Sequence, residues 1–132
     1  LPSDGWGASA MLAALLEGAA GIEDQGARFQ DVRLSPRWPA ADVSAARVVA
    51  RYAASDGYVA YRWRRASNSL SLDFTGSGAR ATLRLLLPDA ISQVALVSLD
   101  GRPQPIRIDQ VFGSRYVVVQ TEQGSGRLEV VW

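Results

Sequence analysis

The sequence predicts a mainly β protein, an antiparallel β-sandwich of about eight or nine strands preceded by one apolar N-terminal α-helix. From Phe29 onward, apolar and polar residues alternate with a period of two, which is typical of half-buried antiparallel strands. Turn-forming residues separate these alternating runs at short intervals, as they do in sandwiches. Before Phe29 the apolar residues recur instead at the three-to-four spacing of a helix.

The predicted helix lies in the alanine-rich segment 7–20, with Ser3 or Asp4 as a candidate N-terminal cap. Its apolar residues fall on one helical face: Met11, Leu12, Leu15, Leu16, Ala19 and Ile22. Glu17 is the only charged residue in the segment, so we expect the helix to be buried on more than one side. Such burial implies that other helices surround it. If it were left uncovered, the helix would favour self-association.

The strands are predicted from runs such as Leu70, Leu72 and Phe74, which alternate with polar residues. Asp100-Gly101 and Gly124-Ser125-Gly126 are among the turns that separate them. The expected strands lie near residues 29–34, 46–54, 58–65, 69–75, 80–87, 93–99, 105–109, 115–121 and 127–132. In the segment before the second strand, Pro36 and Pro39 restrict the backbone and argue against a helix.

Composition excludes several classes of function. The 132 residues are 48% hydrophobic and 20% charged, which is typical of a folded domain and not of a disordered chain. There is no cysteine and no histidine, which excludes a disulfide framework, a thiol nucleophile and a histidine-based triad. A net charge of +1 provides no field that would attract nucleic acid or an acidic membrane, and the apolar run Ala8–Leu16 is too short to span a bilayer. We therefore expect no nucleic-acid partner, no membrane partner, no metal and no cofactor.

The residues that remain form no recognisable catalytic motif. The chain contains 13 acidic residues, but no pair has the pattern of a glycosidase acid and base. No glycine-rich phosphate loop is present. All 14 basic residues are arginines, and only Arg62, Arg64 and Arg65 cluster, on what a strand would present as a solvent face. We expect no catalytic residue in this chain. The compartment in which it works is left open.

Aromatic residues offer a second route to function, because tryptophan and tyrosine rings stack on sugars. Trp38 lies between two prolines, where it is either a buried pin for a stiff connector or a sugar-stacking platform. Tyr58 directly follows a turn and is a second stacking candidate. Trp6 lies between two glycines before the helix, and Asp4 beside it is either a helix cap or a residue at a pocket rim.

Three other aromatic residues share strand parity with aliphatic residues and are predicted to lie in the core. Tyr61 and Trp63 have the parity of Val59, and Trp132 has that of Val130. A core assignment for these rings argues against an exposed row of sugar-binding aromatics.

The order of the motifs resembles the end of a known family. The chain reads Asp4-Gly-Trp-Gly-Ala-Ser-Ala-Met-Leu, then Leu15-Leu-Glu-Gly-Ala-Ala-Gly-Ile, then Phe29-Gln-Asp-Val-Arg-Leu-Ser-Pro-Arg-Trp-Pro, then strands to a terminal Val-Trp. This is similar to the C-terminal part of six-hairpin glycosidases, which have an (α/α)6 barrel followed by a β-sandwich. Bacterial α-L-rhamnosidases, barrel-type α-L-fucosidases and the maltose or trehalose phosphorylase group share this ending.

The resemblance implies that residues 1–28 are the terminal helix and loop of a larger helical barrel, and that residues 29–132 form the C-terminal β-sandwich. It also implies that the catalytic residues lie on the absent barrel, which would be this domain's partner within the same polypeptide. Asp4 and Trp6 match a loop that borders the active-site end of the barrel. The chain begins without methionine, and we expect a fragment or processed product.

The implied function is a non-catalytic structural domain of a bacterial glycoside hydrolase acting on oligo- or polysaccharides. The chain alone is expected to be inactive. Two alternatives stay open, an autonomous carbohydrate-binding module and a protein-interaction module. A complete small enzyme is the least favoured reading, because histidine, cysteine and lysine are all missing.

Overall fold

The computed structural model describes residues 20–41, 43–51 and 56–132, and within these ranges the regular secondary structure is almost entirely β-strand. The eleven strands are β1 (Ile22–Asp24), β2 (Asp31–Leu34), β3 (Ala45–Arg51), β4 (Tyr58–Arg65), β5 (Ser69–Gly76), β6 (Arg80–Leu86), β7 (Leu96–Leu99), β8 (Arg102–Pro103), β9 (Ile108–Val111), β10 (Ser114–Thr121) and β11 (Gly126–Val131). One 3-10 turn, Trp38–Ala41, is the only helical element in the described ranges. The predicted N-terminal helix lies outside them.

The strands form two sheets. The first has the order β1-β2-β6-β10-β9, and the second has the order β3-β4-β5-β11-β7-β8. Every pairing is antiparallel except that of β2 with β6, in which Asp31 lies opposite Arg80 and Leu34 opposite Leu83. This parallel pair was not predicted. It arises because the chain leaves the first sheet after β2, builds three strands of the second sheet and then returns beside β2.

The core lies between the inner faces of the two sheets, and strand alternation supplies it. Its largest fully buried side chains are Trp63, Leu34, Leu70, Leu72, Leu83, Leu85 and Leu128. The core assignments of Tyr61 and Trp63 are confirmed, since their exposed fractions are 4% and 0%. Trp132 is only half-buried and packs against the edge of this cluster, because β11 ends one residue before it.

Each of the nine predicted strands overlaps an observed strand, but the predicted count is wrong by two. The missed strands, β1 and β8, have three and two residues, too few to show an alternation. The second contains Pro103, which cannot donate to a ladder and is tolerated at a sheet edge. The prediction that Pro36 and Pro39 exclude a helix is wrong in one respect, because Pro39 is accommodated in the first turn of the short 3-10 element, where its missing N–H has no role.

Two hairpins have two-residue turns whose central residues both have positive φ. These residues are Asp100 (φ 51°) with Gly101 (φ 79°), and Phe112 (φ 49°) with Gly113 (φ 85°). Paired positive φ values match the right-handed twist of the flanking strands. The predicted Asp100-Gly101 turn is confirmed, and an Asp100 carboxylate oxygen also accepts a 2.8 Å hydrogen bond from the backbone N–H of Arg127. No helix in the described ranges is long and apolar enough to cross a membrane.

Candidate functional site

The candidate residues Asp4 and Trp6 lie outside the described residues, so their assignment to a pocket rim stays a prediction. Trp38 lies in the 3-10 turn and is half-buried against the core. Its indole Nε1–H donates a 2.9 Å hydrogen bond to the hydroxyl of Tyr61. This contact favours the first interpretation, in which a buried Trp38 anchors the connector. Sugar stacking on Trp38 stays an untested prediction.

Tyr61 connects Trp38 to the start of the sandwich. Its hydroxyl donates a 2.6 Å hydrogen bond to the backbone carbonyl of Ala20, a buried residue just before β1. Burial raises the pKa of Tyr61 above its ordinary value of 10, and the hydrogen bond from Trp38 partly opposes that shift. The hydroxyl is therefore protonated at neutral pH and can donate to Ala20.

The second stacking candidate, Tyr58, is half-buried at the start of β4. The side chain of Ser77 fixes its backbone, accepting a 3.0 Å hydrogen bond from the Tyr58 N–H and donating one of 3.3 Å to its carbonyl. The guanidinium carbon of Arg51 lies 6.0 Å from the centre of the ring, at the limit of a cation–π contact. Sugar stacking on Tyr58 stays a prediction.

A polar hollow lies on the outer face of the first sheet, the side turned away from the core. We call it the outer-face cavity. It has a volume of about 400 Å³ and is lined by Gly21, Glu23, Arg33, Ser35, Arg37, Arg84, Val111 and Tyr116. Arg33 lies 3.8 Å from Glu23 between their charged atoms. Arg37 makes no ion pair with any described residue. The cavity therefore combines three cations with few anions.

Arg84 is the most constrained of these arginines. Its guanidinium carbon lies 4.4 Å from the centre of the Tyr116 ring, and its Nη2 atom is 2.9 Å from a carboxylate oxygen of Asp109. Only 12% of its side chain is exposed, and its buried Nε atom has no hydrogen-bond partner among the described residues. A planar cation held flat on an aromatic ring is a rigid hydrogen-bond donor for a carboxylate or another anionic group.

Beside the cavity, the β9–β10 hairpin carries the most exposed aromatic residue in the described chain. Phe112 at the turn is fully exposed, and Val111 before it is 40% exposed. The other phenylalanines of the described ranges, Phe29 and Phe74, are buried. The described residues thus contain one protruding ring and not a row of exposed aromatics.

These groups are suited to binding. Within the described ranges, no three residues of the metal-ligating types come together. Tyr61 is committed to Ala20, and Asp109 to Arg84. The fold and this geometry define a β-sandwich domain with an arginine-lined cavity on the outer face of its first sheet.

Comparison with known proteins shows where this fold occurs. No protein-family model and no curated protein sequence matches the chain. Among solved structures, it is similar to the α-L-rhamnosidase from Dictyoglumus thermophilum, with a TM-score of 0.67 and 14% identity over 94% of this chain. It is also similar to the Streptomyces avermitilis α-L-rhamnosidase complexed with L-rhamnose, with a TM-score of 0.55 and 22% identity over 87% of this chain. The matches cover only 14% and 10% of those enzymes, so the chain corresponds to a small part of their length.

The sequence did not point to Arg84, Asp109 or Phe112. Arg84 and Asp109 come from β6 and β9, and cross-strand pairing alone brings them to Tyr116 on β10. The Phe112-Gly113 pair could have predicted part of this arrangement, because glycine favours the positive φ of a two-residue turn. A two-residue hairpin there sets Asp109 opposite Tyr116 and places the phenylalanine at the tip.

Proposed function

We propose that this chain is a non-catalytic β-sandwich domain of a larger glycoside hydrolase, in which it supports a preceding helical catalytic domain. The observation that carries the proposal is the match of 94% of this chain to 14% of an α-L-rhamnosidase. A fold that occurs as a small part of a long enzyme suggests the same setting here. We propose α-L-rhamnosides as the substrates of the whole enzyme.

Two features of the described residues support a structural role over a catalytic one. Their fully buried side chains are hydrophobic, and the largely buried Arg84 is paired with Asp109. Burial raises the pKa of Tyr61, but its hydroxyl is used to hold the backbone of Ala20. A catalytic acid or base needs a shifted pKa together with access to substrate, and Tyr61 is buried.

The test compares the 132-residue chain with the natural protein captured from its source cells by an antibody raised against this chain. Both are assayed with 4-nitrophenyl α-L-rhamnopyranoside, with the corresponding β-D-glucopyranoside as control. We expect the natural protein to release nitrophenol from the rhamnoside and the 132-residue chain to release none. Hydrolysis by the chain alone would contradict the non-catalytic role. A natural protein that cleaves no glycoside would contradict the assignment to a glycoside hydrolase.

A further inference from the structure

The outer face of the first sheet is not an ordinary solvent face. Leu86 and Tyr116 are cross-strand partners on this face, and both are buried although neither belongs to the core cluster. Arg84 beside them is also largely buried. Outer faces of antiparallel sheets in contact with water are normally polar and hydrated. Atoms of this chain already cover Leu86, Tyr116 and Arg84, so the groups left for a partner are the exposed ones beside them.

Phe112, at the edge of this face, exposes an aromatic ring to water, which is unfavourable for an isolated domain. It is fully exposed, and Val111 beside it, which lines the cavity, is 40% exposed. Its φ of 49° is a conformation in which glycine or asparagine is favoured over a bulky residue. Position 112 therefore carries a phenylalanine in an unfavourable backbone conformation and with unfavourable hydration. Together with exposed Val111, this ring is suited to contact with a partner surface.

The charges next to Phe112 indicate the chemistry of the partner. Three arginines line the outer-face cavity, and Arg33 and Arg84 are each near one acidic residue. Arg37 is left without an ion-pair partner among the described residues. A complementary surface would place a carboxylate at Arg37 or Arg84 and an apolar socket around Phe112.

The path of the chain indicates which partner meets this description. Gly21 lines the cavity, so the start of the described chain lies beside this face. We propose that the outer face of the first sheet is the surface on which the preceding helical domain of the same polypeptide docks, with Phe112 in an apolar socket and a carboxylate at the arginines. This inference rests on the proposed function and names the surface that serves it.

Hydroxyl-radical footprinting tests the docking surface by comparing side-chain oxidation rates in the 132-residue chain and in the natural protein from its source cells. We expect Phe112 to be oxidised at least tenfold more slowly in the natural protein. Val49, 57% exposed on the outer side of β3 in the other sheet, is the control, and its rate should be the same in both. Equal rates for Phe112 in a natural protein several times larger than 14.2 kDa would overturn the docking surface while leaving the proposed function standing.

A substitution that is neutral or favourable for the isolated fold provides a second test. Asparagine suits the positive φ of position 112, so Phe112→Asn should leave the melting temperature of the 132-residue chain unchanged or raise it by about 1–2 °C. In the natural protein, the same change should lower the melting temperature by several degrees. Photo-cross-linking from position 112 should then reach residues upstream of Ala20 in the same polypeptide. Cross-links to a second copy or to a separate protein, or no melting shift, would overturn the proposal.

Discussion

The hydroxyl of Tyr61 lies 2.6 Å from the backbone carbonyl oxygen of Ala20 and donates a hydrogen bond to it. The two residues are 41 positions apart, and the bond joins the second sheet to the entrance of the first. Trp38 donates to the same hydroxyl, so one buried oxygen holds both the start of the sandwich and the connector after β2. The junction through which a preceding domain would enter is therefore fixed to the core.

Removing this hydroxyl should destabilise the sandwich. Tyr61→Phe leaves the buried Ala20 carbonyl without its donor, and we expect a loss of about 1–3 kcal/mol in the free energy of unfolding. Urea denaturation measures it. Tyr58→Phe is the matched control, because the Tyr58 hydroxyl makes no hydrogen bond with the described residues, and a loss of no more than about 0.5 kcal/mol is expected. Equal losses in the two variants would contradict the role of Tyr61.

Alkaline pH should weaken the fold through the same group. The pKa of Tyr61 is raised in the folded chain, whereas an unfolded tyrosine ionises near pH 10. The folded state therefore keeps a proton that the unfolded state loses, so the stabilisation is fully present below about pH 10 and declines as the pH rises further. We expect a decline in unfolding free energy approaching about 1.4 kcal/mol per pH unit above pH 10. A Tyr61→Phe variant with the same slope as the unmodified chain would contradict this assignment.

The Trp63 side chain should be the largest single contributor to the core. It is fully buried, and Trp63→Ala is expected to reduce the free energy of unfolding by about 3–5 kcal/mol. Trp63→Phe should reduce it by less than half as much, since it keeps an aromatic ring and also removes a buried N–H that has no acceptor. Thermal unfolding of the two variants checks the order. A nearly unchanged melting temperature for the alanine variant would contradict the core assignment.

Gly21 should tolerate no side chain. It has a φ of 66°, and a Cβ there would overlap the carbonyl group of Ser35. The N–H of Ser35 donates a 2.8 Å hydrogen bond to the Gly21 carbonyl, so the two backbones cannot easily separate. Gly101 has a similar φ of 79° but open space around the site of a Cβ, so Gly101→Ala measures the backbone strain alone. We expect Gly101→Ala to reduce the free energy of unfolding by about 1 kcal/mol, and Gly21→Ala to reduce it by several times more. Chemical denaturation that gives equal losses would show that the close contact at Gly21 is absent.

The strands were predictable where the chain repeats a local pattern. Leu70, Leu72 and Phe74 alternate with polar neighbours along β5, and each does point into the core. The turn at Asp100-Gly101 was readable for a similar reason, because its residue types favour a positive φ. These features depend on residues adjacent in sequence.

The candidate site was not predictable because it depends on contacts between distant residues. Arg84 meets Asp109 and Tyr116 only after β6 and β9 have paired on either side of β10. The parallel pairing of β2 with β6, which brings Arg33 onto the same face, has no counterpart in the local sequence. Alternation indicates that these residues face away from the core, but it does not indicate which of them meet.

The intact mass of the natural protein tests the central claim most directly. The protein can be captured from its source cells and identified by the tryptic peptide spanning residues 52–62. We predict a mass several times 14.2 kDa, with sequence extending upstream of Leu1. A natural protein of about 14.2 kDa would contradict the claim that this sandwich is one domain of a larger glycoside hydrolase, and would favour an autonomous binding module instead.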